Sequence, residues 1–256
     1  MDSIKYASIE SQLGNEACLA EDTEEMFWLR ESDDYQSCVA LGNALAGQYR
    51  FKEAAESYRK AELIKSDDAM LYIRMGGAYL SLYRYEEAEE AYKKAVAAGA
   101  SRKAVAYPRG ISFYLKKDYA AAAEEFKNCL PAGGEMTIAI IYWHTLCAIS
   151  GDFEAALLKE YDPSMDVGHH KAYKTAVDVF AGLLTWSKEK VNEDVFNGTN
   201  PLDSSIIQYG LSVYLRDKGL TSEAESCLDE ALKNEIVWPS VAYLAAWADK
   251  HTTPEK

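Results

Sequence analysis

The sequence predicts an all-α fold, a solenoid of helix–turn–helix hairpins running through essentially the whole chain. Three observations predict it. The first is a period of 34 residues: a small residue recurs as Gly42, Gly76 and Gly110, a second as Ala54, Ala88 and Ala122, and an aromatic as Tyr58, Tyr92 and Phe126. The second is that each repeating segment carries two apolar stripes at helical spacing. In the middle one these are Met75, Ala78, Tyr79 and Leu82, then Ala88, Ala91, Tyr92 and Ala95. The third is that no stretch shows the strict alternation of a half-buried strand. One such hairpin cannot bury its own apolar faces, so neighbours must stack, and stacking produces a superhelix with a concave inner wall.

Gly and Ala fall where the two helices of a hairpin approach closely, and Tyr or Phe fills the gap beside them. From Asp34 to Gly134 the period and these residue types resemble the tetratricopeptide repeat (TPR). The family pattern is W-x2-L-G-x2-Y, then A, F or Y, A and P. The tryptophan slot holds Cys38, Tyr72 and Ala106, and the leucine slot holds Leu41, Met75 and Arg109. The tyrosine slot holds Leu45, Tyr79 and Phe113, the last alanine slot holds Ala61, Ala95 and Cys129, and Pro131 closes the third repeat. The resemblance implies a right-handed α-solenoid whose first helices line the concave wall.

In chain order, residues 1–34 read as N-terminal capping helices. Residues 3–20 form a first helix weakened by Gly14, and a second carries Met26, Phe27, Trp28 and Leu29 after the acidic run EDTEE. A cap over the first repeat is preferred to an acidic arm, because Phe27 and Trp28 call for burial. Residues 35–136 form three regular repeats. Residues 137–202 form degenerate hairpins: GDFEAAL echoes the turn KDYAAAA, His144 takes the glycine slot, and Glu160 takes the aromatic slot. A loop at SMDVG precedes a long helix from His169 carrying Tyr173, Val177, Phe180, Leu184 and Trp186. Asn197-Gly198 and Asn200-Pro201 are turn signals. Residues 203–256 form a TPR-like pair with Ser204 or Ser205 as N-cap, then a closing helix from Pro239.

Composition bounds the function. The chain has 256 residues, 48% of them hydrophobic, and a net charge of -14. Residues 1–34 carry two basic and ten acidic side chains, residues 35–136 fifteen and thirteen, and residues 137–256 ten and eighteen. Such a balance disfavours nucleic acid, whose affinity comes from Lys and Arg on phosphates. No apolar run has the roughly 18 residues of a membrane span. The start MDSIKYASIE lacks the basic segment and apolar block of a secretory signal, and the five cysteines include no C-x2-C pair. A cytoplasmic location is expected.

No catalytic or nucleotide-binding motif is present: no G-x4-G-K-[ST], G-x-G-x-x-G or G-x-S-x-G. The run Glu86, Glu87, Glu89 and Glu90 is followed by Lys93 and Lys94, a solvated ion-paired face. Asn197-Gly198-Thr199 fits a glycosylation sequon and is read as a turn. His169 and His170 read as a loop or helix-start pair, since helical neighbours i and i+1 do not share a face. His144 reads as a polar residue on a core face. No metal and no cofactor is expected.

The resemblance places a binding wall at Gln36, Val39, Asn43, Met70, Ile73, Arg74, Gly77, Tyr107, Ile111 and Tyr114. Asn43 fits one position of the family's carboxylate clamp, but the basic positions hold Val39, Ala104 and Pro108, so an apolar peptide suits the wall better. Pro108 falls inside the predicted first helix of the third repeat, which must therefore begin late or bend, and a bend there would widen the groove. The expected function is a non-catalytic protein- or peptide-binding scaffold, with Asn43 and Arg74 orienting the ligand. The alternatives are a self-associating adaptor forming a homo-oligomer, a chaperone-like helper, and an enzyme with its site around His144, His169 and His170.

Overall fold

The computed structural model describes residues 6–14, 20–130, 134–186 and 200–251, and among these residues every regular element is helical. The architecture is the expected one, an all-α fold of helix hairpins. It divides into two compact units, Met1–Ser112 and Phe113–Lys256.

In the first unit α1 (Ile9–Gln12) and α2 (Glu24–Arg30) precede two hairpins, α3 (Tyr35–Gly47) with α4 (Phe51–Ile64) and α5 (Ala69–Ser81) with α6 (Tyr85–Ala97). Each hairpin packs internally, and α4 packs on α5, which stacks the pairs. The N-caps are chemical. Asp34 accepts from the Ser37 amide at 3.1 Å, and Asp68 accepts from the amides of Met70 and Leu71 at 2.8 and 3.3 Å. Gly42 and Gly76 are obligatory for packing: a Cβ at either would sit closer than 3.0 Å to the ring of Tyr58 or Tyr92. Both rings are buried.

The turn inside each hairpin also repeats. Tyr49, Tyr83 and Lys117, again 34 residues apart, all adopt left-handed backbone, with φ of 62, 57 and 64°. The following amide reaches back to close the helix: Arg50 to the Leu45 carbonyl, Arg84 to Tyr79 and Asp118 to Phe113, each at 2.9 Å. Asp152 (φ 54°) and Gly219 (φ 76°) end later helices in the same way, with Phe153 bonded to Ala148 and Leu220 to Leu215. The hairpin turn therefore persists where the side-chain pattern has faded.

The N-terminal segment covers the first hairpin. The Ala7 amide donates to the Gln48 carbonyl at 3.1 Å, the Lys52 amide to Gln12 Oε1 at 2.8 Å, and Tyr6 stacks on Tyr49 with ring centroids 4.3 Å apart. Asp22 pairs with the buried Arg50 and with Arg30, both of which also hold Glu53. The expected reason for capping was wrong, however. Phe27 and Trp28 are 60 and 68% exposed, and Met26 is the residue of α2 that enters the core. The long first helix is also corrected: only Ile9–Gln12 is helical within the described part of residues 3–20, and residues 15–19 lie outside it.

Helix α7 (Arg102–Leu115) contains the division between the units. It does not begin late, and Pro108 lies inside it. Arg109, anomalous in an apolar slot, is accounted for by a two-pronged ion pair to Glu89 of α6 at 2.9 and 3.1 Å.

The second unit contains α8 (Tyr119–Cys129), α9 (Met136–Gly151), α10 (Ala156–Lys159), α11 (Lys171–Phe180), α12 (Pro201–Asp217), α13 (Thr221–Ala231) and α14 (Val241–His251). Its centre is α9, buried without interruption from Ile138 to Ala148, with α8, α10, α11 and α12 packed against it. Around it Tyr114, Tyr142, Trp143 and Tyr209 form an aromatic knot, with centroid separations of 5.1 to 6.3 Å. Tyr114 and Tyr209 share a hydrogen bond at 2.8 Å, and Tyr142 donates to the Ile206 carbonyl at 2.7 Å. Gly210 keeps its close-approach role, but its ring is Tyr142 of α9 rather than an aromatic of its own hairpin.

Three expected boundaries shift in this unit. The helix after SMDVG is only Lys171–Phe180, so Leu184 and Trp186 lie beyond it. The N-cap of α12 is Asn200, which accepts from the Asp203 amide at 2.9 Å with Pro201 as first helical residue, while Ser205 is buried. The closing helix begins at Val241 rather than Pro239. Pro131 and Asn197-Gly198-Thr199 lie outside the described residues.

Candidate functional site

The wall positions separate by burial. Val39, Ile111 and Tyr114 are buried in the core, at 8, 0 and 4% exposure. Tyr114 fails for a tertiary reason: its hydroxyl is engaged with Tyr209. Gln36, Asn43 and Met70 are exposed, and Ile73, Arg74, Gly77 and Tyr107 are half-buried. A Cβ at Gly77 would meet nothing within 4 Å, so the surface of α5 is open there.

Asn43 meets the hydroxyl of Tyr58. Tyr58, rising from α4 past Gly42, donates to Asn43 Oδ1 at 2.9 Å. Burial pushes the Tyr58 phenol up to about 12, and the Arg74 charge acts in the opposite direction. Arg74 acts the same way on Tyr35, which burial, its hydrogen bond to Asp68 and the charge of that carboxylate also raise to about 12. The Tyr35 hydroxyl donates to Asp68 at 2.6 Å, tying the start of α3 to the cap of α5. Arg74 makes no ion pair or hydrogen bond among the described residues, and the Asn43 amide nitrogen also makes none. The half-buried Arg74 guanidinium, with Ile73 and Met70 on the same helix, and the Asn43 amide NH2 on α3 thus present unspent donors. The sequence placed Arg74 and Asn43 on the wall and Tyr58 only among the packing aromatics; its hydrogen bond to Asn43 is added by the hairpin geometry.

In this unit a cavity of about 300 Å³ opens between α4 and α6, with Arg59, Glu62, Arg84 and Glu87 on its rim. Its lining mixes both charge signs, which satisfy one another: Arg84 bonds Glu87 and Lys94 bonds Glu62. In the second unit a cavity of about 320 Å³ is lined by Tyr119, Arg216 and Asp249 among others. Burial raises the Asp249 carboxyl, while the Arg216 charge and the Tyr209 hydroxyl lower it.

The three histidines do not form a common site. His144 is 1% exposed and neither ring nitrogen has a hydrogen-bond partner. Burial, with a smaller contribution from Lys127, holds it down to about 4, so it is a neutral core residue at neutral pH. His169 and His170 lie in the turn before α11, as a loop or helix-start pair, with their rings 4.1 Å apart. His169 Nδ1 is 2.9 Å from Glu135, the residue capping α9. His144 is nine residues further along α9, about 13 Å at the helical rise per residue. Burial and the neighbouring His169 lower His170, while Glu135 acts to raise it. Among the described residues no helix is long and apolar enough to cross a membrane.

Residues 70–98, which comprise α5, α6 and the turn between them, match the family model of the tetratricopeptide repeat. A search of curated proteins gives no match. Among solved structures, the chain is similar to YrrB, described as a TPR protein with an unusual peptide-binding site. The TM-score is 0.46 and the identity 16%, covering 90% of this chain and 99% of that one.

Proposed function

We propose that this chain, in which α5 and α6 form a tetratricopeptide repeat, is a non-catalytic scaffold whose α3/α5 face holds an extended protein segment. The observation that carries the reading is the pair of unspent donors, the half-buried Arg74 on α5 with Ile73 and Met70 on the same helix, and the exposed Asn43 amide on α3, whose oxygen holds Tyr58. Apolar contact supplies area and a few anchors supply most of the affinity. The guanidinium favours a carboxylate in the segment, since a charge-assisted hydrogen bond is roughly twice as strong as a neutral one. Tyr107 extends the face along α7. The four described cysteines are buried free thiols, which suits the reducing cytoplasm. The separation of His144 from the His169–His170 pair favours this reading over an enzyme in the second unit.

Selection from a peptide library on immobilised protein tests it. The wild type should enrich segments with an acidic residue beside aliphatic ones. R74E should lose that acidic preference, and Gly77→Trp, which fills the open surface of α5, should abolish selection. If R74E and Gly77→Trp enrich the same peptides as the wild type, this face is not the site.

A further inference from the structure

We propose that Glu135, His169 and His170 form a binding site for one divalent transition-metal ion of the zinc type. Each residue offers one ligand atom, and the three atoms lie within 4.8 Å of one another. His169 Nδ1 and Glu135 Oε2 are 2.9 Å apart. Ligands about 2.0–2.2 Å from a tetrahedral ion are separated by distances of this order, so small side-chain rotations close the set.

Inside a helix two adjacent histidines point to different faces and cannot chelate one ion. Here the pair precedes α11, with His170 at its cap, and that constraint does not apply. The turn is built to admit the third ligand. Gly168 has φ of 51°, and a Cβ on it would overlap the Glu135 carboxylate, so only glycine lets that carboxylate lie against the turn. The Gly168 amide donates to Asp166 Oδ1 at 3.0 Å, and the His170 amide donates to the Val167 carbonyl at 2.8 Å, which fix the curl that presents both rings.

Two imidazoles and one carboxylate form a borderline ligand set that suits Zn2+ and disfavours Mg2+ and Ca2+, which take oxygen ligands. Three protein ligands leave a fourth position open to water. Each neutral imidazole binds the ion through its unprotonated nitrogen, any proton carried by an imidazolium passes to solvent first, and no oxidation state changes. The ion would clip the turn before α11 to the start of α9 and stabilise the folded chain by mass action.

The test is titration of the full chain with Zn2+ against a chromophoric chelator, with Mg2+ in parallel. One Zn2+ per chain is expected, with no comparable Mg2+ binding. H170A and E135Q should each weaken Zn2+ affinity at least tenfold, while H251A, which removes another exposed histidine, leaves it unchanged. Circular dichroism without metal should be the same for all, because the altered groups lie at the surface. Zn2+ should also raise the midpoint of thermal unfolding of the wild type and not of H170A. The proposal is overturned if E135Q and H170A bind as the wild type does, if H251A loses as much as they do, or if Mg2+ competes equally. Any of these would mean that binding is spread over surface side chains rather than held in one site.

Discussion

The hairpins of the first unit and the helices around α9 in the second solve one packing problem differently. In α3/α4 and α5/α6 a glycine on the first helix receives a ring from the second, Gly42 with Tyr58 and Gly76 with Tyr92. Each hairpin closes on itself, so the repeat survives as a unit. In the second unit the corresponding slot on α9 holds His144, and the helix that should follow shortens to Ala156–Lys159. An imidazole in place of glycine leaves no recess for a ring at that slot. Tyr142 of α9 instead fills the recess beside Gly210 of α12. The first unit buries its apolar surface hairpin by hairpin, and the second buries one helix on all sides. The lesson is that a glycine recess does not by itself close a hairpin: the ring that fills it comes from the partner helix in the first unit and from α9 in the second.

The largest way to separate the two regimes is by pH. His144 is held down to about 4 against an ordinary value of 6.5, so the unfolded chain binds a proton that the folded chain refuses. Its contribution is therefore intact above pH 6.5 and is lost as the pH falls from 6.5 toward 4. The loss approaches about 3 kcal/mol at 1.36 kcal/mol per pH unit. Denaturant unfolding of wild type and H144L at pH 7 and pH 4 should show this difference in the wild type and not in the variant. Equal pH dependence in the two would show that His144 is protonated in the fold.

Glycine substitutions come next. G76A forces a Cβ into Tyr92 and should cost about 1–3 kcal/mol by overpacking. G210A should cost a similar amount through Tyr142 of another helix. Loss of stability in G76A without loss in G210A would show that the α9–α12 approach is looser than the hairpin approach. The smallest effect has the opposite sign. G77A, one residue from Gly76 and facing open surface, should stabilise by up to about 1 kcal/mol through helix propensity alone. A destabilised G77A would mean that the α5 surface is covered, which would also remove the proposed binding face.

Much of this was legible beforehand because its causes are local. The spacing of Gly42, Gly76, Tyr58 and Tyr92 encodes close helix contact. Asp34 and Asp68 stand where a cap belongs, although sequence reasoning did not single them out. Placement of the wall residues was legible only in part. Val39 and Ile111 sit at positions that line the wall by register, yet both turn inward, and Tyr114 was drawn into the core by Tyr209, a residue 95 positions away. Phe27 and Trp28 erred in the other direction, because the size of an apolar side chain says that burial would be favourable and not that a partner surface exists. Arg109 looked misplaced until Glu89 supplied its partner.

By itself the sequence determined the helical class, the 34-residue period and the residues that let helices touch, since these depend on side-chain size at fixed offsets along one chain. Tertiary structure alone decided that Glu135 meets His169 and His170, that Asn43 meets the Tyr58 hydroxyl, and that Tyr142 serves Gly210. Each of these joins groups on separate elements, and their distance depends on how whole helices pack, a quantity that no spacing along the chain contains.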